Sequence, residues 1–446
     1  MTAAAPTILQ AEHDRLSATG GGALARAQAP WTAEASRWAT AAWRTRGLPT
    51  RQAEAWKYTA LGFLAEASLA MAARPLPSEN MKIKTVNRFA DSGSGDLVFY
   101  NGHFIPELSR LPSDRGVRIV RLADSSAGDL QPFAAAFTAS RFASGPWFDA
   151  LNASFAQDGL VISFAASVRL EAPIILTFIS SAAAPWTASS SRVLVRFAPL
   201  SEGAVVERHV TLGDGPCLTF PSTDVVVEDG ARATYARVQA EGPSSAHFGS
   251  LLATLGRDAF LESLQVSTGA RLSRQELSVR LLAPGGETRV DGLYLTQGTQ
   301  HVDNRTSIEH VAGETTSAQL YKGILTDESR AVFNGRIRIE PQAQKSNASQ
   351  LCRNLSLSKR CEIDAKPELE IFADDVKASH GATVGQMDPE QLFYFQTRAI
   401  SRPEAAQAVA RGFAQDVSLR MQNPVVRAFV AREVDGKFER MKASVR

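Results

Sequence analysis

The stretch Leu277-Ser278-Val279-Arg280-Leu281 alternates apolar and polar side chains, and a turn-like position, Gly286, follows it. Alternation with period two puts Leu277, Val279 and Leu281 on one face of a strand and Ser278 and Arg280 on the other. Further along, Ile337 and Ile339 interleave with Arg336, Arg338 and Glu340, and Leu369 and Ile371 with Glu368 and Glu370. Turn-like positions recur at Gly203, Gly230, Asp258, Gly286 and Glu314, separated by 27, 28, 28 and 28 residues. An interval this constant, long enough for about two short strands, predicts a coil of parallel rungs whose inward Val, Leu and Ile form one continuous apolar column. No long helical pattern interrupts the region from about 160 to 380, which argues against a βαβ sheet. The expected fold is mainly β: a parallel β-helix, or solenoid, flanked by helical domains at both ends.

The flanks read as helix. Residues 1 to about 75 are rich in Ala, Glu, Arg and Trp with few β-branched residues. A mixed segment follows, with Leu97 to Gly102 as a strand and turn and Leu151 to Phe155 leading into a strand at Gly159–Phe164. After Gly385 the helical period returns. Asp388-Pro389-Glu390 sets a capping Asp before a Pro at the first helical position. Ser401-Arg402-Pro403-Glu404 is an S-x-x-E capping box, and Asn423-Pro424 ends that helix and starts another. The division expected is 1–150 helical with a small β element, 151–385 the β-helix core, and 386–446 a C-terminal helical domain.

Bulk properties narrow the function classes. A chain of 446 residues is longer than one core usually supports. Lys plus Arg is 48 against 46 for Asp plus Glu, and the basic residues are scattered, so no electrostatic footprint for nucleic acid is present. The opening MTAAAPTILQAEHD lacks a basic n-region and an apolar h-region, so no secretory signal is expected. The longest apolar runs, such as Pro173 to Ile179, are strand-sized, well short of the roughly 20 residues that span a bilayer. Three cysteines with no CxxC pair speak against a disulfide framework or a four-ligand zinc site, and a reducing cytoplasm is the expected location.

The segment Cys361 to Gly385, CEIDAKPELEIFADDVKASHGATVG, holds the close sequence approach of a cysteine and a histidine. Its KPELEI strand, the DDVK-x-SHGATVG run after it, the DPEQLFY helix start and the earlier Arg51–Thr59 element ending in WKYT resemble the SufD type of the SufB/SufD family. These are subunits of the SUF iron–sulfur cluster assembly scaffold. The resemblance implies a right-handed β-helix and a non-enzymatic scaffold that pairs with a SufB-like paralog. It further implies an ABC-type ATPase, SufC-like, docked on the C-terminal helices, with Pro389 to Phe413 the expected dock. Iron entry, a transient iron–sulfur cluster and a reduced flavin belong to that complex by resemblance, although no residue here marks a flavin site. In isolation, a partner-shaped interface could pair with itself in a symmetric dimer.

Two residues stand out as candidate iron or cluster ligands. His380 lies between Ser379 and Gly381, read as a turn after the last strand; neutral imidazole ligates iron and relays protons. Its alternative is a histidine hydrogen-bonded at the end of the β-core. By resemblance it falls at the interface with the SufB-like partner. Cys361 follows Lys359 and Arg360, whose charges would favour a thiolate if the side chains converge; its alternative is a small apolar residue packed in a rung. The family often has Cys two residues before this histidine, but here the position is Ala378, so a mechanism needing a thiol there is excluded. Asp374 and Asp375 read as a surface turn. Trp56 and Tyr58 are expected to pack against the core.

A second polar cluster, His301, Asp303, Asn304 and His310, offers His301 and Asp303 on one strand face. Cys217 and Cys352 read as core or rung residues. No phosphate loop, nucleophile elbow or dinucleotide fingerprint occurs. Two other readings stay open. One is a β-solenoid carbohydrate-active enzyme such as a polysaccharide lyase, with Asp303 and Arg305 as its nearest acid–base cluster. The other is the SufB paralog, which usually carries H-E-A-T where this chain has S-H-G-A-T.

Overall fold

The computed structural model describes residues 7–18, 20–66, 69–74, 94–182 and 186–442, so the first six residues of the stretch read for a signal lie outside it. Two long parallel sheets form the core. One carries Asp158–Phe164, Ser191–Phe197, Ser222–Val227, Ala246–Leu255, Leu272–Leu281, His301–His310, Arg330–Ile339 and Glu362–Ile371. The other carries Gly95–Tyr100, Ile174–Ser180, Glu202–Thr211, Arg232–Gln239, Phe260–Ser267, Glu287–Thr296, Thr316–Leu325, Asn347–Ser356 and Lys377–Gln386. The chain alternates between the sheets, so each strand lies beside one a single coil away. Leu277, Val279 and Leu281 stack on Leu251, Ala253 and Leu255 and beneath Thr306, Ile308 and His310, all buried. The expected mainly β solenoid with flanking helices is the fold observed.

The interval found in the sequence is one corner of this coil. Left-handed backbone occurs at Leu200, Gly230, Asp258, Gly285, Glu314 and Lys345, with φ of +62, +67, +53, +76, +57 and +60°. At each of them the N–H donates to a carbonyl near the same corner one coil on, from Leu200 to Asp229 through to Lys345 and Asp375. Two positions depart from the sequence reading: the left-handed glycine is Gly285 rather than its neighbour Gly286, and Gly203 is at no corner. It lies inside Glu202–Thr211, where a Cβ would run into the Phe164 ring, so packing rather than a turn requires glycine there.

The interior is divided lengthwise. Part of it is aliphatic and aromatic; another part holds buried polar groups, several of them paired with one another. Glu207 accepts from Arg237 Nε at 2.9 Å and lies 3.2 Å from His209 Nε2, while Glu241 accepts from Thr219 Oγ1 at 2.6 Å and lies 2.8 Å from His247 Nδ1. Burial raises both carboxyls, but Arg237, His209 and Thr223 together outweigh it at Glu207, and His247, His209 and Thr219 together outweigh it at Glu241, holding both below the usual carboxylate range. Cys217 and Cys352 are buried thiols, as expected of rung residues.

Helices cover the outer faces. Pro30–Arg46 and Trp147–Phe155 pack Trp43, Phe148 and Phe155 over the first sheet, with Phe148 stacked on Phe248 at 3.8 Å. Beneath them Asp149 and Asp224 share Arg141 and Arg192, with ion-pair distances of 2.6–3.0 Å and all four side chains buried. At the other end Asp388 caps Pro389–Gln396, Ser401 and Glu404 form the predicted capping box of Arg402–Ser418, and Asn423 accepts from Val425 and Val426 at the start of Pro424–Lys442. The last two helices fold back along the second sheet, setting Ala414, Val417, Met421, Phe429 and Val430 against Val206, Val238, Leu264, Leu293 and Ile324. Among the described residues no helix is long and apolar enough to cross a membrane.

The two ends of the coil differ. At the first, antiparallel strands close both sheets: Val117–Arg121 lies on Asp158–Phe164, and His103–Phe104 on Gly95–Tyr100. At the other, Glu362–Ile371 and Lys377–Gln386 have no outer neighbour among the described residues. The second of these corrects the sequence reading: Ser379-His380-Gly381 is no turn but the middle of a ten-residue strand. Small and polar residues disguise it, and an end strand tolerates them because its other side is exposed. The same one-sidedness admits Pro367 within Glu362–Ile371, since a missing N–H costs little at an edge.

Two tests follow from this packing. Burial holds the imidazoles of His209, His301 and His310 down to about 4, whereas an unfolded chain protonates them near 6.5. Below that value the unfolded state binds more protons, so the contribution of these histidines should be full above about pH 6.5 and be lost as pH drops toward 4. Asp291 and Glu262, whose carboxyls burial pushes up, act in the opposite sense but are fewer. A melting temperature that stays level from pH 7 to pH 4.5 would refute the account. Secondly, a Cβ at Gly292 would strike the Tyr321 ring one rung on. Gly292→Ala should cost about 1–3 kcal/mol in denaturant unfolding; an unchanged midpoint would show that the ring has room to move.

Candidate functional site at the open end of the coil

His380 is the fourth residue of the terminal strand and is exposed. Its place follows from register. Ala378 pairs with Ala348, His380 with Gln350 and Ala382 with Cys352, and the three partners are buried on the inward face of the preceding rung. Paired residues of a parallel sheet share a face, so the imidazole tops an internal column at the rung where that column meets solvent. One coil further in, Gln350 pairs with Gln319 along the same column. On the opposite face of the same rungs, beside the C-terminal helices, a cavity of about 450 Å³ is lined by Leu320, Lys322, Leu351, Arg353, Asp416 and Arg420 among others.

Cys361 is placed elsewhere. Its Sγ lies 2.9 Å from the Ser358 carbonyl and 3.0 Å from Ser356 Oγ, and it packs against the interior cluster. Ser356 is in register with Gln386, six residues from His380, a separation of about 20 Å along the strand. The structure therefore does not bring the two candidates together. Nor does Arg360 converge on the thiol, since it pairs with Glu328. Asp374 and Asp375 lie in the bend between the last two strands, both exposed, as a surface turn. The Asp375 N–H donates to Gln344 Oε1 at 2.9 Å. Among the described residues, no three His, Cys, Asp or Glu side chains converge in a way that could hold a metal ion.

The second polar cluster separates into two faces. His301 and Asp303 share the outward face, as period two predicts, while Asn304 and His310 point inward; His310 lies 2.7 Å from Thr315 Oγ1 and 2.9 Å from Ser317 Oγ. Asp303 is buried and accepts from Thr59 Oγ1 at 2.6 Å and from Arg274 Nη1 at 2.7 Å, with Arg305 Nε 3.1 Å away. The WKYT element lies on top, with Trp56 buried and the Arg274 guanidinium 3.7 Å from its ring centre. This seals the Asp303–Arg305 pair from any polysaccharide, so the lyase reading loses its acid–base cluster.

Gln350 and Gln319 were missed by sequence reasoning, although a signal existed: Gln350 precedes His380 by one coil. Also exposed are Ile371, Phe372 and Val384 on or beside the end strands, and Phe393 and Tyr394, 66% and 59% exposed, on the helix that follows.

The family model described as SUF system FeS cluster assembly, SufBD core domain, matches residues 178–413, and that for the SufBD protein N-terminal region matches residues 21–176. The chain is 32% identical over 375 residues to the iron-sulfur cluster assembly protein SufD of Escherichia coli (strain K12), covering 83% of this chain and 85% of that one. It is 29% identical over 402 residues to Protein ABCI7, chloroplastic, of Arabidopsis thaliana, covering 87% of this chain and 82% of that one. A further relative, the iron-sulfur cluster assembly protein SufD of Bacillus subtilis (strain 168), is 29% identical over 268 residues, 59% of this chain and 60% of that one. A two-sheet coil, a histidine on its open rung and matches along nearly its whole length place the chain in the SufB/SufD family of iron–sulfur cluster assembly proteins.

Proposed function

We propose that this chain is a non-catalytic scaffold subunit of a SufBCD-type complex and acts in iron–sulfur cluster assembly. It pairs with a SufB-like paralog through the open rungs Glu362–Ile371 and Lys377–Gln386, and His380 presents its imidazole to cargo iron or a nascent cluster at that interface. The observation that carries this reading is the exposure of His380 on a rung whose backbone edge is unpaired among the described residues. An open edge is a template for another chain, and Ile371, Phe372 and Val384 supply exposed apolar surface beside it. Because no group of companion ligands gathers at His380 among the described residues, the remaining ligands of a bound cluster come from the partner. Cys361, turned toward Ser356 and Ser358 far along the strand, is the weaker of the two candidate ligands. In the absence of the paralog, the same edge is open to self-pairing. Three free thiols suit a reducing compartment such as the cytoplasm.

The ABC-type ATPase is assigned to Pro389–Gln396 and the start of Arg402–Ser418. Phe393 and Tyr394 stand out from that helix with more than half their surface exposed, an aromatic pair of the sort that anchors interfaces.

Co-expression with SufB-like and SufC-like partners, then anaerobic reconstitution, tests the site. His380→Ala should cut cluster yield at least about tenfold, the loss of roughly 1.4 kcal/mol of binding, while Cys361→Ala should stay near wild type. Wild-type yield from His380→Ala would remove the proposed ligand. For the dock, the double change Phe393→Ala and Tyr394→Ala should abolish co-purification of the ATPase and leave the melting temperature nearly unchanged, because both side chains are exposed. ATPase retained by that variant would move the dock elsewhere.

A further inference from the structure

Gln350, 2% exposed, is an internal amide one coil before His380. Its Nε2 donates to Gln319 Oε1 at 2.9 Å, and Thr306 Oγ1 donates to the same oxygen at 3.1 Å. Across the interior Gly335 leaves room for the amide; a Cβ there would run into Gln350 Nε2. In this arrangement the Gln350 amide lies with its nitrogen toward Gln319. Its oxygen is buried and accepts no hydrogen bond. Buried acceptors in folded proteins nearly always have a donor.

Register supplies one candidate donor. His380 stands beside Gln350 on the next rung, about 4.8 Å away between backbones and on the same inward face. The residues flanking it on that face, Ala378 and Ala382, have no polar side chain. A neutral imidazole has one N–H and one bare nitrogen, and the group bonded to the first decides which nitrogen is left for a metal. We infer that Gln350 is a positioning residue for His380: its free oxygen accepts the imidazole N–H, holds the ring in one tautomer, and leaves the other nitrogen bare toward the open end. The inference deepens the proposed function and rests on His380 facing the cargo iron.

The test is the tautomer ratio of His380, read from its two ring ¹⁵N shifts in full-length protein labelled with ¹⁵N-histidine, with all variants compared at one alkaline pH. The His380 signals are identified by their loss in His380→Gln. In wild type one tautomer should dominate, and in Gln350→Leu the ratio should fall by about fivefold, what one net hydrogen bond supplies. Gln350→Glu, which restores an acceptor oxygen, should recover the wild-type preference, a rescue that a purely structural role would not give. If Gln350→Leu does not fold, Gln350→Met carries the same comparison. A Gln350→Leu protein with the wild-type ratio overturns the inference whatever His380→Ala does to cluster yield. Normal yield from His380→Ala overturns the proposed function and leaves the tautomer result standing.

Discussion

Everything in this molecule depends on each strand finding its backbone partner one coil away. A parallel strand inside such a stack has both edges satisfied only if every rung has nearly the same length and every corner turns at the same place. That requirement explains the ladder of left-handed residues from Leu200 to Lys345 and the joining of each corner to the next through its own N–H. It also explains why a large side chain on one rung needs a hole on its neighbour. Tyr321 stands over Gly292 and Tyr294 over Gly323, each ring filling the space that the paired glycine leaves. Polar residues enter the interior under the same discipline: buried Glu207 is paired with Arg237, and buried Glu241 lies against His247 and accepts from Thr219.

The helical parts are attached by two different balances. The C-terminal pair is held mainly by apolar burial, since each fully buried Val, Met or Phe contributes about 1.5–3 kcal/mol. Ion pairs around it add less: Arg420 is partly exposed, but its partner Asp291 is buried, and the desolvation of that carboxyl offsets much of the attraction. Beneath the N-terminal helices the order reverses. Asp149, Asp224, Arg141 and Arg192 are so buried that removing one partner strands the others without solvent, a loss of about 3–5 kcal/mol. That quartet sets the position of Trp147–Phe155 on the coil more than it adds to stability.

Much of this was readable beforehand because it is repetitive or local. The period-two runs at Leu277–Leu281 and Ile337–Ile339 and the spacing of Gly230, Asp258, Gly286 and Glu314 disclosed the coil. Asp388, Ser401 with Glu404, and Asn423-Pro424 disclosed the last three helices. What stayed hidden depends on register. His301 and His310 looked like members of one cluster until strand faces were assigned, and Cys361 looked close to His380 because nineteen residues of sequence conceal a change of sheet. Lys377–Gln386 hid for an energetic reason. A last rung buries little, so it needs none of the apolar alternation by which inner strands announce themselves.

Two residues, Met387 and Asp388, separate the strand bearing His380 from the helix bearing Phe393 and Tyr394. Asp388 is itself engaged as a helix cap, and Met387 packs against the apolar stripe between coil and tail. A connection that short has almost no slack. A pull or twist applied to the exposed helix therefore reaches the last rung as mechanical strain, before it can dissipate in a flexible linker. In this geometry the joint is stiff, and the least buttressed rung of the coil is the part that must yield.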